Sequence, residues 1–197
     1  LFRAATMLAS CAAIPLAHAE TATPPATAIP APSIPVEAGP MPAGKLDGSV
    51  VPSTYRLDLT IDPAKERFSG HVEIDATSRK ASRFVWLHGK ELKVSRVTAT
   101  AGGKTLTGTF AQVDPTGVAL LTFPEALPAG AVTFAFDYDA PFGEGPAGMF
   151  RVKVGDDWYS WTQFESIDAR AAFPGFDEPG FKTPWTVTLR TPAGLKP

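Results

Sequence analysis

Tyr55-Arg56-Leu57-Asp58-Leu59-Thr60-Ile61-Asp62 alternates apolar and polar side chains without a break. A strand turns successive side chains to opposite faces, so this stretch predicts a β-strand with one buried face. The same period returns downstream. Phe68 to Thr77 sets Val72, Ile74 and Ala76 against His71, Glu73, Asp75 and Thr77, with Gly70 a candidate bulge. Val132, Phe134, Phe136 and Tyr138 alternate with Thr133, Ala135, Asp137 and Asp139. Arg83 to His88 is apolar on both faces, the pattern of a central strand. Leu92 to Thr100, Leu106 to Val113 and Val118 to Phe123 complete a series with turn signals about ten residues apart. Helical periodicity is absent. The fold class is all-β, as a sandwich or barrel.

The chain has 197 residues and a net charge of −2, which leaves no basic excess for nucleic acid. Cys11 is the only cysteine, so no internal disulfide can form. Residues 1–19 join Arg3, an apolar run and Ala17-His18-Ala19 before Glu20, the pattern of a secretory signal peptide. Leu8-Ala9-Ser10-Cys11 also fits a bacterial lipoprotein box, which would anchor the protein to a membrane through Cys11. Both readings export the protein, to the bacterial periplasm or beyond. Residues 20–48 carry seven of the 20 prolines and few large apolar groups, so a disordered Pro/Ala/Thr-rich spacer is expected there. Residues 49–197 form the expected folded domain. The lack of an initial Met and the abrupt Leu195-Lys196-Pro197 read as a fragment of a longer protein.

Metal and phosphate motifs are missing from the β-rich body. His71 and His88 stand on separate expected strands, with no acidic or cysteine partner at ligand spacing. Gly143-x-Gly145 precedes no helix, and no nucleophile elbow occurs. Gly148 to Val154 and Trp158 to Thr162 predict a hairpin about Gly155-Asp156-Asp157.

Past that hairpin the alternation stops. Thr162-Gln163-Phe164-Glu165-Ser166-Ile167-Asp168-Ala169-Arg170-Ala171-Ala172-Phe173-Pro174-Gly175-Phe176-Asp177-Glu178-Pro179 mixes five charges with aromatics and prolines. Buried charges are costly unless paired, so Arg170 is expected to tie down Asp177 or Glu178 in a structural corner. A carboxylate left over could hold a cationic ligand. Gln163 and Glu165, two apart at a strand end, could face one ligand together. An amide beside an acceptor-only carboxylate suits a primary ammonium. An edge pair that simply faces water fits the same spacing. Ile167 to Ala172 is at most a short helix, stopped by Phe173-Pro174, and Thr186 to Thr191 begins another strand.

Thr162-Gln163-Phe164-Glu165, Asp168-Ala169-Arg170, Phe173-Pro174, Phe176-Asp177-Glu178-Pro179 and Phe181-Lys182 resemble the signature of the aminopeptidase N family. Val51-Pro52-x-x-Tyr55-x-Leu57, Phe68-Ser69-Gly70 and Gly148-Met149-Phe150 resemble its opening strands and turn. The resemblance covers residues 46–197. It departs at Gly175, where many members carry Cys, a difference expected to affect packing. It implies a saddle-like amino-terminal β-domain of an exported zinc aminopeptidase that removes amino-terminal residues from peptides. In the family, zinc is held by H-E-x-x-H in a following catalytic domain. That motif is absent from these residues, so the resemblance implies no catalytic and no metal residue here, and no activity for this piece alone. It implies that Glu165 binds the substrate's α-amine, with Gln163 in support, while Arg170, Asp177 and Glu178 are structural. It also implies packing against the domain that follows. The alternative is a non-catalytic β-sandwich binding or scaffold module.

Overall fold

A computed structural model of the chain describes residues 33–195. The expected signal peptide, Cys11 and the first part of the expected spacer lie outside those residues. Eleven strands form three sheets. They are β1 (Val50–Thr60), β2 (Arg67–Ser78), β3 (Ser82–His88), β4 (Lys93–Ala101), β5 (Lys104–Thr107), β6 (Thr109–Gln112), β7 (Val118–Leu127), β8 (Gly130–Pro141), β9 (Gly148–Val154), β10 (Asp157–Gln163) and β11 (Trp185–Arg190). The large sheet runs β11-β1-β2-β8-β4-β5, the second is β3-β7-β6, and β9 and β10 form a separate hairpin. The only helical pieces among the described residues are two single 3-10 turns, Val36–Ala38 and Ala169–Ala171. The all-β expectation holds.

The alternation sets the layers. Tyr55, Leu57 and Leu59 of β1, Val72 and Ile74 of β2, and Phe134 and Phe136 of β8 turn into one core with Leu121 and Phe123 of β7. Each such burial contributes roughly 1.5–3 kcal/mol relative to exposure. The opposite face of the large sheet carries cross-strand ion pairs: Arg56 with Glu73 and Asp75, Arg67 with Asp139, and Arg190 with Asp58. Such half-exposed pairs add little stability and chiefly favour this register. His71 does meet acidic partners, although chain spacing shows none. It lies opposite Asp137 across the β2–β8 ladder, with Nδ1 2.6 Å from Oδ1.

Four sequence readings change. Gly70 is no bulge, since the β1–β2 and β2–β8 ladders run through it in register. A Cβ there would lie 2.3 Å from the Tyr138 hydroxyl, so glycine makes room for a ring from the neighbouring strand. The expected strand Leu106 to Val113 is two strands. β5 pairs with β4 and β6 with β7, and the chain changes sheets at Gly108. A Cβ at Gly108 would come within 2.6 Å of the Phe123 ring. β3 is an edge strand, not a central one. Its outer side is covered by the proline-rich segment, where Trp86 Nε1 donates to the Ala38 carbonyl at 3.0 Å. Residues 33–48 therefore do more than space: Leu46 is buried in the core, and its N–H donates to the Glu178 carboxylate.

Candidate functional site

The segment after β10 folds back over Tyr55 in the middle of β1 and over the end of β3, and is held there by buried polar contacts. β3 forms a bridge with Gly175: His88 N–H donates to the Gly175 carbonyl at 2.7 Å, and Gly175 N–H returns to His88 at 2.9 Å. Arg170, 7% exposed, donates from Nε to Asp177 Oδ2 at 2.9 Å and through its other guanidinium nitrogens to the Thr116 and Asp177 carbonyls. Asp177 Oδ2 also accepts the Arg170 backbone N–H at 3.1 Å. The Tyr55 hydroxyl accepts the Phe176 N–H at 2.9 Å, and burial pushes its pKa up. Trp185 stacks on the Tyr55 ring at 4.0 Å, and Phe173 packs between Trp185 and Phe164. The expected structural corner is thus present, with Asp177 as the partner of Arg170. A Cβ at Gly175 would meet the Tyr55 ring at 3.2 Å, so a larger residue there would need that ring to shift by a few tenths of an ångström.

His88 is the corner residue that sequence reading passed over. It is 2% exposed, and its Nδ1 accepts the Asp177 N–H at 3.2 Å. Burial and the neighbouring Arg170 cation push its pKa down to about 4, from an ordinary 6.5. The folded protein keeps this ring neutral where an unfolded chain would protonate it. Stability should therefore fall as pH drops from about 6.5 to about 4, by up to about 3 kcal/mol from this group. Denaturant midpoints across that window measure the slope. In His88→Asn, which keeps an acceptor for Asp177 N–H, the slope should flatten.

With Asp177 engaged by Arg170 and Glu178 by Leu46, the remaining carboxylates of this segment are Glu165 and Asp168. Neither makes a side-chain hydrogen bond or ion pair among the described residues, and Glu165 is exposed while Asp168 is half-buried. Gln163 is the last residue of β10, paired with Gly148, and is exposed as well. Strand alternation does not reach Glu165, which stands in the turn formed by residues 165–168. The turn itself sets its place. Asp168 N–H donates to the Phe164 carbonyl at 3.0 Å, and Phe164 packs edge-on against Phe173. Gly148, at φ +67°, lets the turn sit on the hairpin, for a Cβ there would lie 3.2 Å from the Ala171 Cβ. A free carboxylate and a free amide thus stand at the same end of β10, on a turn braced by the aromatic stack. No three His, Cys, Asp or Glu side chains converge to hold a metal among the described residues. These residues do not suit zinc, and no chemical step here runs through it.

Comparison with known proteins decides the family. The Peptidase M1 N-terminal domain model matches residues 51–195. The chain belongs to that family. Relatives of this M1 N-terminal domain include an aminopeptidase N of Acetobacter pasteurianus, 29% identical over 75% of this chain and 42% of that protein. Aminopeptidase M1-D of Oryza sativa subsp. japonica is 30% identical over 77% of this chain and 18% of its own length. Aminopeptidase 2 of Candida albicans is 27% identical over 74% of this chain and 16% of its own length. The chain spans less than half the length of these relatives.

Proposed function

We propose that this domain is the amino-terminal part of a longer, exported zinc aminopeptidase, in which Glu165 binds the α-ammonium of the peptide substrate and Gln163 supports it. One observation carries the reading: the Arg170 cation is used up by Asp177, which leaves the Glu165 carboxylate free at the end of β10. A carboxylate accepts the ammonium's N–H groups and offsets its charge, and the amide oxygen of Gln163 can accept a further one. A blocked amino terminus offers neither the charge nor the donors. The site therefore selects peptides with a free amine and fixes how far the chain reaches into the pocket. Bound elsewhere in the longer protein, zinc would supply the activated water for peptide hydrolysis. Residues 1–19 would direct export, and the mature chain would begin near Glu20 or at a lipidated Cys11.

The test is metal content. Protein expressed from the complete coding sequence should carry stoichiometric zinc, hydrolyse an amino-acid arylamide, and lose that activity on chelation and regain it with zinc. A long product that binds no zinc and cleaves nothing would make this a binding or scaffold domain instead.

A further inference from the structure

β9 and β10 pair with each other and with no third strand among the described residues. The root of this hairpin is fixed. Gly143 N–H donates to the Met149 carbonyl at 2.8 Å, Gly143 bridges to Phe150, and Met149 is buried in the core. Further out, Val152, Val154, Tyr159 and Trp161 are each at least 40% exposed. A lone two-stranded hairpin is marginally stable at best in water. One side chain ties its outer part down. Arg151 Nη1 donates to the Lys65 carbonyl at 2.6 Å and reaches the Pro63 carbonyl at 3.4 Å. Among the described residues, these are the only hydrogen bonds from residues 151–162 to anything outside the hairpin. Both carbonyls belong to the turn between β1 and β2. That turn is closed on itself, with Lys65 N–H donating to the Asp62 carbonyl at 3.0 Å and Ala64 N–H to the Asp62 carboxylate at 3.1 Å. The Arg151 guanidinium also lies over the Trp158 ring, 4.3 Å from its centroid, and so grips β10 as well as β9. A planar guanidinium does both at once, stacking by its face and donating by its edge.

We propose that Arg151 is a positioning residue for the ammonium site, latching the hairpin to the β1–β2 turn so that β10 presents Gln163 beside Glu165. This role presupposes the substrate site proposed above. Gln163 closes β10, three residues beyond Ser160, the register partner of Arg151. Strand alternation puts Gln163 on the face away from Arg151 and Trp158, so the latch acts through the backbone and not by contact. Glu165 has its own support in the turn and the Phe164–Phe173 contact. Gln163 hangs on the β9–β10 ladder, so its place follows that of the hairpin. Misplacing a substrate-positioning group by about 1 Å can cost about 100-fold in rate.

The experiment is a mutant cycle in the full-length protein, read as kcat/KM on an amino-acid arylamide. Gln163→Ala should lower it by about 10- to 100-fold, the worth of one hydrogen bond to a charged group. Arg151→Ala should cost a similar factor, mainly through KM. The double variant should be no worse than Gln163→Ala alone, whereas a role in overall folding would multiply the two losses. In Arg151→Ala, amide hydrogen exchange should speed up in residues 151–162 and keep its rates in β1, β2 and β8. Arg151→Gln keeps a donor for the Lys65 carbonyl and should recover part of the loss. It replaces alanine in the cycle if Arg151→Ala does not fold. Multiplied losses or unchanged exchange in the hairpin would overturn the latch. So would parent activity in Arg151→Ala or Gln163→Ala beside a weakened Glu165→Ala, and the Glu165 anchor would then still stand. Parent activity in Glu165→Ala would instead remove the ammonium site itself, and the role of Arg151 with it.

Discussion

Replacing Glu165 with alanine in the full-length protein should lower kcat/KM on an amino-acid arylamide by about 30- to several-thousand-fold. In the folded domain this carboxylate is exposed and makes no bond that alanine would break, so the loss arises only when substrate closes the pocket. A substrate ammonium entering a closed site gives up its hydration, and an opposing carboxylate compensates. Removing one partner of such a hydrogen-bonded charge pair costs roughly 2–5 kcal/mol. At about 1.4 kcal/mol per factor of ten, that gives the range above. Glu165→Gln should lose less, because its amide oxygen still accepts a hydrogen bond. The thermal midpoint should stay close to that of the parent in both variants. Unfolding of Glu165→Ala, or full activity at native stability, would remove the ammonium-anchor assignment.

The fold was legible where residues answer to a local rule. Alternation in Tyr55–Ile61 and Val132–Tyr138 predicts β1 and β8 with their buried faces, because a pleated strand leaves no other arrangement for that pattern. The charged and aromatic mixture after Gln163 announces a semi-buried corner for the same kind of reason: those charges must find partners. Elements that depend on distant chain were not legible. β3 reads as central because it is buried on both sides, yet one side is covered by residues around Ala38, about fifty positions earlier. Gly70 reads as a bulge because nothing in its own strand shows the Tyr138 ring beside it. His88 reads only as a strand histidine without a metal-ligand partner, because the Asp177 N–H that its Nδ1 receives is presented by the folded loop alone. In the candidate site, chain order placed Gln163 and Glu165 near each other. The two-residue strand argument fails for Glu165, whose position comes from the Phe164–Phe173 contact and the turn that follows.

Asp177→Ala should give the opposite pattern to Glu165→Ala: a large loss of stability with little change in chemistry per folded molecule. The Arg170 and Asp177 side chains are 8% and 11% exposed, and the carboxylate accepts both the Arg170 Nε–H and the Arg170 backbone N–H. Alanine would leave a buried guanidinium without its anion and a backbone donor without its acceptor. Breaking a buried pair on one side typically costs about 3–5 kcal/mol. For a domain of this size that corresponds to a thermal midpoint lower by about 6–20 °C. The consequence reaches further than the pair. The same residue donates its backbone N–H to His88, and Arg170 ties down the Thr116 carbonyl, so the segment behind Glu165 loses its hold on β3 and on the loop before β7. Asp177→Asn keeps an oxygen to accept from Arg170 and should recover much of the loss, which separates hydrogen bonding from charge. Thermal midpoint measured beside kcat/KM distinguishes the two carboxylates. A native midpoint for Asp177→Ala would mean that Arg170 finds another anion and that this corner does not hold the segment in place. A lowered midpoint with near-native KM below the melting range would assign Asp177 to the scaffold and leave Glu165 as the carboxylate that meets substrate.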